Sequence, residues 1–108
     1  MASSKDYLNY ILDEISELSD ITYRQMMGEY IIYYKGKIAA YVCDDRLLVK
    51  DVPSALKYLK TIVYEKPYEG AKDMLLVEDI DDREYLTGLF EAIYEELPAP
   101  KKRKERNR

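Results

Sequence analysis

Five carboxylates, Glu78, Asp79, Asp81, Asp82 and Glu84, fall within seven consecutive positions. Clustered oxygens of this kind are what a hard cation such as Mg²⁺ or Ca²⁺ takes as ligands. The run lacks the glycine and the distal glutamate of an EF-hand loop. It also stands where a helix begins, and acids at that end are stabilised by the helix dipole without any ion. Capping is therefore the simpler reading, and no metal and no cofactor are assigned. Glu91 and Glu95, one helical turn apart, read as a solvated face.

The remaining chemistry is sparse. The chain has no histidine, which removes serine and cysteine triads built on imidazole, His-ligated zinc and histidine acid–base catalysis. It holds no Cys-x-x-Cys, no G-x-G-x-x-G and no phosphate-binding loop among its four glycines. An enzyme would have to work with carboxylates, tyrosine and lysine, so none is expected. The single cysteine, Cys43, ends an apolar strand and reads as an inert buried thiol, with only Arg46 near enough to lower its pKa. One cysteine allows no internal disulfide and suits a reducing compartment, so a cytoplasmic protein is expected.

Binding is the better prospect. Arg24, Met26 and Met27 can form a recognition surface, because exposed methionine adapts to varied partners. The plainer alternative puts one methionine in the core and pairs Arg24 with a neighbouring acid. Gly28, between two strand-like runs, is read as a turn or bulge residue. Twelve tyrosines against one phenylalanine and no tryptophan favour interfaces as well as half-exposed sheets. Tyr30, Ile32 and Tyr34 share one strand face, Ile31 and Tyr33 the other. Since both faces carry large side chains, a homodimer through the sheet is one expectation and ordinary half-buried tyrosine the other. Which face meets the helices stays open.

Charge divides the chain. Residues 1–97 carry eleven Lys+Arg against twenty Asp+Glu, a net −9, and residues 98–108 carry six against one, a net +5. Lys101, Lys102, Arg103, Lys104, Arg106 and Arg108 make a basic tail that is expected to be disordered. They are the only expected nucleic-acid contacts, giving affinity without sequence preference. A solubilising end with no partner is the alternative. The longest apolar run, Ile38 to Cys43, has six residues; a bilayer span needs about 20.

The elements that must position these residues centre on Thr22 to Lys50. Short strands fold on themselves there through Lys35-Gly36-Lys37 and Asp44-Asp45, and connections this short join antiparallel neighbours. A helix is expected from Lys5 to Leu18, capped by Ser3 or Ser4, with Tyr7, Leu8, Ile11, Leu12, Ile15 and Leu18 in one stripe. Val52-Pro53-Ser54 opens a second helix to about Lys60. Thr61 to Asp73 reads as loop, Met74 to Val77 as a fifth strand. Asp81 with Glu84 forms a capping-box pattern before a last helix to about Glu96. The expected fold is a two-layer α+β domain over residues 1–97, in the order α-β-β-β-β-α-β-α. It has three helices on a five-stranded antiparallel sheet, a meander of four plus one.

Several pieces, in order, resemble the N-terminal domain of the TfoX/Sxy family, bacterial regulators of DNA-uptake competence. Thr22-Tyr23-Arg24-Gln25-Met26-Met27-Gly28-Glu29-Tyr30 is similar to that family's opening strand. The Lys35-Gly36-Lys37 hairpin, Ile38 to Val42, Asp44 to Lys50, Pro67-Tyr68, Lys72-Asp73-Met74 and the acidic entry to the last helix follow in family order. Longer members carry a second, C-terminal domain, and the resemblance implies a stand-alone form without it. It implies a non-enzymatic regulatory module with no catalytic residues, whose partner is a protein, in the longer members a transcription regulator. The expected contact residues are Arg24, Met26, Met27, Gly28, Tyr30 and Tyr33.

Overall fold

The computed structural model describes residues 5–26 and 28–98. Met27, the Ser3/Ser4 cap and the basic positions from Lys101 to Arg108 lie outside the described residues. The elements are α1 (Lys5–Glu14), β1 (Ile21–Met26), β2 (Glu29–Tyr34), β3 (Lys37–Cys43), β4 (Arg46–Val49), α2 (Pro53–Tyr58), β5 (Tyr64–Glu65), β6 (Met74–Val77) and α3 (Arg83–Ile93). A 3₁₀ turn, Tyr94–Glu96, extends α3.

One sheet of six strands runs β1-β2-β3-β4-β6-β5, every neighbouring pair antiparallel. The α+β class and the four-strand meander are as the sequence implies. The strand count is corrected from five to six. Tyr64 and Glu65, expected in a loop, pair with Leu75 and Met74 and form the far edge.

The hairpin turns follow from backbone chemistry. Lys35 and Gly36 have φ of 52° and 85° between the paired residues Tyr34 and Lys37. Asp44 and Asp45, at 53° and 54°, do the same between Cys43 and Arg46. Two consecutive left-handed residues match the twist of the flanking strands. Asp tolerates that region better than most side chains, and Gly36 occupies it freely. Gly36→Ala is expected to cost about 1 kcal/mol of stability, since alanine is strained at positive φ; urea unfolding would measure it.

All three helices lie on one face of the sheet. Leu8, Ile11 and Ile15 from the α1 region, Ala55 and Leu59 around α2, and Leu86, Leu89, Phe90 and Ile93 of α3 pack there. They meet Tyr30, Ile32, Tyr34, Ala40, Val42, Leu47, Val49, Leu75 and Val77 from the strands. Burying each large side chain contributes about 1.5–3 kcal/mol, and this layer is what holds the sheet flat against the helices.

Helix ends are shorter than the apolar stripes suggest. α1 stops at Glu14 rather than Leu18, although Ile15 and Leu18 remain buried. The backbone tightens there, Ser16 N–H reaching Asp13 O and Leu18 N–H reaching Ile15 O, before Asp20 turns left-handed at φ 57°. α2 stops at Tyr58. The cap of α3 is Asp82, whose carboxylate accepts the Tyr85 N–H at 3.1 Å. The expected Asp81–Glu84 box is replaced because Asp81 instead accepts the Tyr10 hydroxyl.

Candidate functional site

The face of the sheet away from the helices is built from alternating residues of the same strands. Register puts Arg24, Ile31, Tyr41, Leu48 and Leu76 in one row. Met26 opposite Glu29 and Cys43 opposite Arg46 lie beside it. Ile31, Cys43 and Leu48 are buried, although the described helices pack on the other face. The segment from Lys66 to Asp73, which follows the edge strand β5, supplies the cover, with Pro67 buried and Tyr68 and Glu69 set against Ile31 and Tyr41.

Arg46 fastens that cover to the sheet. Its Nη1 pairs with Glu65 Oε1 at 2.6 Å, its Nε donates to Cys43 O at 3.2 Å and its Nη2 to Lys66 O at 3.4 Å. A planar, always-charged fork holds its donors in a fixed geometry spread over three nitrogens, whereas lysine offers a single rotatable ammonium. Lys66 in turn pairs with Asp73 at 2.9 Å, closing the loop on itself. Arg46→Ala is expected to cost about 1–2 kcal/mol. Amide exchange in residues 64–69 should speed up more than in β2 or β3. Equal acceleration throughout would show that Arg46 does not hold the cover in place.

Between the cover and the β1–β2 hairpin lies a groove of about 400 Å³, lined by Met26, Glu29, Ile31, Tyr41, Tyr68 and Glu69. Met26 is 43% exposed and Tyr68 51%, so the lips are apolar and open to solvent. Glu29 lies deeper. Its Oε1 is buried with no hydrogen-bond partner among the described residues. Burial first, then the Glu29 carboxylate beside it through hydrogen bonding and charge, raise the Cys43 thiol pKa. Arg46 lowers it, but by less, so the thiol stays protonated and inert. Burial also raises Tyr41, with Tyr68 and Tyr33 adding to it.

Of the residues expected to make contacts, the structure brings Arg24, Met26 and Tyr33 onto this outer face, with Arg24 and Met26 exposed and Tyr33 half-buried. Gly28, at φ 84°, lies in the β1–β2 connection and is not among the groove's lining residues. Tyr30 points the other way, buried in the helix-side core against Tyr23 with ring centroids 6.0 Å apart. It does not share the surface. Tyr41, Tyr68, Glu29 and Glu69 line the groove without having been expected there; Pro67-Tyr68 was the one signal pointing to the covering segment.

The acidic run is occupied by structural work. Asp82 caps α3, Asp81 holds Tyr10 and pushes that hydroxyl's pKa up to about 12, and Asp79 stands 3.9 Å from Lys60. No group of three or more Cys, Asp or Glu residues among the described residues is placed to hold a metal ion. No helix among them is long and apolar enough to cross a membrane.

The family model for the TfoX N-terminal domain matches residues 13–89, from late α1 through most of α3. An uncharacterized 12.7 kDa protein encoded in the trpE 5′ region of Spirochaeta aurantia is 28% identical over 109 residues. The alignment covers all of this chain and 95% of that protein. No solved structure matches. With the family match spanning the meander, the covering segment and the final helix, the chain belongs to the TfoX N-terminal domain family.

Proposed function

We propose that this chain is a non-enzymatic, cytoplasmic regulatory module that acts by binding protein at the outer face of its sheet, in transcriptional or competence control. The family points to a regulatory role. The observation that carries the reading is the open groove between Met26 and Tyr68, an apolar surface on the face away from the described helices. Flexible methionine beside an amphipathic ring is a combination suited to protein contacts. A homodimer seated on the same face is a form of the same reading.

The test is site-specific photocrosslinking in the cells that make the protein. A crosslinking side chain at Met26 should trap a defined protein, and the same group at exposed Asn9 on α1 should not. Identical products from both positions, or none from either, would overturn the reading.

A second reading rests on the charge split. The net +5 of residues 98–108 suits phosphate, whereas the net −9 of residues 1–97 repels it. If Lys101, Lys102, Arg103, Lys104, Arg106 and Arg108 all engage duplex DNA, log affinity falls against log salt with a slope of about −5. Binding should then vanish in a chain ending at Pro98. Salt-independent binding, or none, removes this alternative.

A further inference from the structure

The groove is apolar at its lips and acidic within. Glu29 lies within it and exposed Glu69 at its rim, and no lysine or arginine among the described residues lines it. Lys50 Nζ stands 5.9 Å from the centroid of the Tyr41 ring without lining the groove, and Arg46 is already taken up by Glu65 and two backbone carbonyls. A buried carboxylate oxygen without a hydrogen-bond partner is costly, and the group that relieves it best is a cationic donor. The Glu29 Oε1 atom is in that state.

The rings add to the same preference. Tyr41 and Tyr68 line the groove with Met26 and Ile31, so an alkyl stem has apolar contacts and a charged head has aromatic faces. Elsewhere this chain places lysine over tyrosine repeatedly, with Lys37 4.2 Å from the Tyr94 ring and Lys60 4.7 Å from Tyr85.

We propose that the groove receives a lysine or arginine side chain presented by a basic peptide segment of the partner, its stem between Met26 and the two tyrosines and its charge on Glu29 and Glu69. The proposal rests on the reading of this face as a protein-contact surface and names the chemistry of what it contacts. Glu29 supplies the buried anchor. Glu69, at the rim, contributes attraction at longer range and a salt-sensitive on-rate.

The experiment is fluorescence anisotropy of the full chain with a labelled peptide, Gly-Ser-Ala-Leu-Arg-Ala-Gly-Ser-Gly, and its twin carrying citrulline in place of arginine. The arginine peptide should bind saturably. Citrulline should weaken it about tenfold or more, because the charge-assisted bond is lost while shape is kept. Glu29→Gln should do the same and Met26→Lys should abolish binding. Glu69→Gln should weaken it less; as a rim substitution it also keeps the test valid if Glu29→Gln fails to fold. Glu91→Gln, an equal change of charge on α3, should have no effect. Absence of saturable binding at about millimolar peptide, or equal binding of both peptides, would overturn the proposal. A dimer that Met26→Lys dissociates would instead assign the groove to a second copy. Binding that emerges only once the six basic residues of 101–108 are replaced by glutamine would assign it to the chain's own tail. A defined crosslink at Met26 without arginine-peptide binding would leave the protein-contact reading standing and remove this one.

Discussion

Replacing Gly88 with alanine is expected to lower stability by about 1–3 kcal/mol, although alanine is the better helix former. Gly88 lies within α3, and a Cβ there would sit 2.3 Å from the Tyr58 hydroxyl and 3.2 Å from its Cζ. The hydroxyl is the end of a rigid ring, so it cannot swing aside as a lysine tip would. Its ring is stacked on Tyr85, with centroids 5.2 Å apart, and its O–H donates to Tyr85 O at 3.0 Å. Tyr85 is itself fixed, since its hydroxyl accepts the Lys60 N–H at 2.9 Å. Moving Tyr58 therefore disturbs the whole α2–α3 contact. The helix-propensity gain of about 1 kcal/mol is outweighed by overpacking and a lost hydrogen bond. In a domain of this size each kcal/mol moves Tm by about 4–8 °C.

The contact itself can be isolated by a second substitution. Tyr58→Phe removes the oxygen that a new Cβ would strike, and alone it should cost about 1 kcal/mol for the hydrogen bond. In that background Gly88→Ala should cost much less, leaving a favourable coupling of about 1–2 kcal/mol between the two sites. Additive effects in thermal or urea unfolding would mean that α2 shifts to accommodate the methyl group and that the close approach is not a constraint.

What could be read from the residues alone was whatever is decided locally. Lys35-Gly36 and Asp44-Asp45 carry their own turn chemistry, so the meander was legible from two short stretches. The α1 stripe was legible as burial but misleading as length. Ile15 and Leu18 keep the helical spacing and stay in the core after the helix has ended, because periodicity records which side is buried and not which backbone bonds persist. Asp81 and Asp82 were equivalent as capping residues until Tyr10, far away in sequence, engaged the first.

The candidate site was less visible because its decisive parts are long-range. Parity separates Tyr30 from Tyr33 in any strand, but only the docking of three helices decides which parity is inside. That put Tyr30 in the core and left Tyr33 with Arg24 and Met26. β5 has two residues, too few to show a period, and exists because β6 and Arg46 hold it. Tyr68 and Glu69 reach the groove from a segment with no period at all. Their position is set by the Arg46 fork and by the buried Pro67. A site assembled by one arginine across the sheet leaves no mark in local sequence.

Stability is expected to fall steeply above about pH 9, and Cys43 should account for the first part of the fall. The thiol's folded pKa is raised from 9.0, chiefly by burial and then by Glu29. A group with a raised folded pKa favours the fold while the unfolded chain is still protonated. That stability is present below pH 9 and is lost as pH rises, because the unfolded thiol ionises and the buried one does not. One such group changes the unfolding free energy by about 1.4 kcal/mol per pH unit. Tyr7, Tyr41 and Tyr58 are raised from 10.0 in the same direction, each mainly by burial, so the slope should steepen above pH 10. Cys43→Ala lacks the first component. It should be less stable than the parent at pH 7, having lost buried volume, and should close that gap as pH rises from 9 towards 10.5. Urea unfolding of both proteins across that range would decide the matter. Parallel curves would mean that the thiol ionises in the folded state and that the covering segment admits water to it.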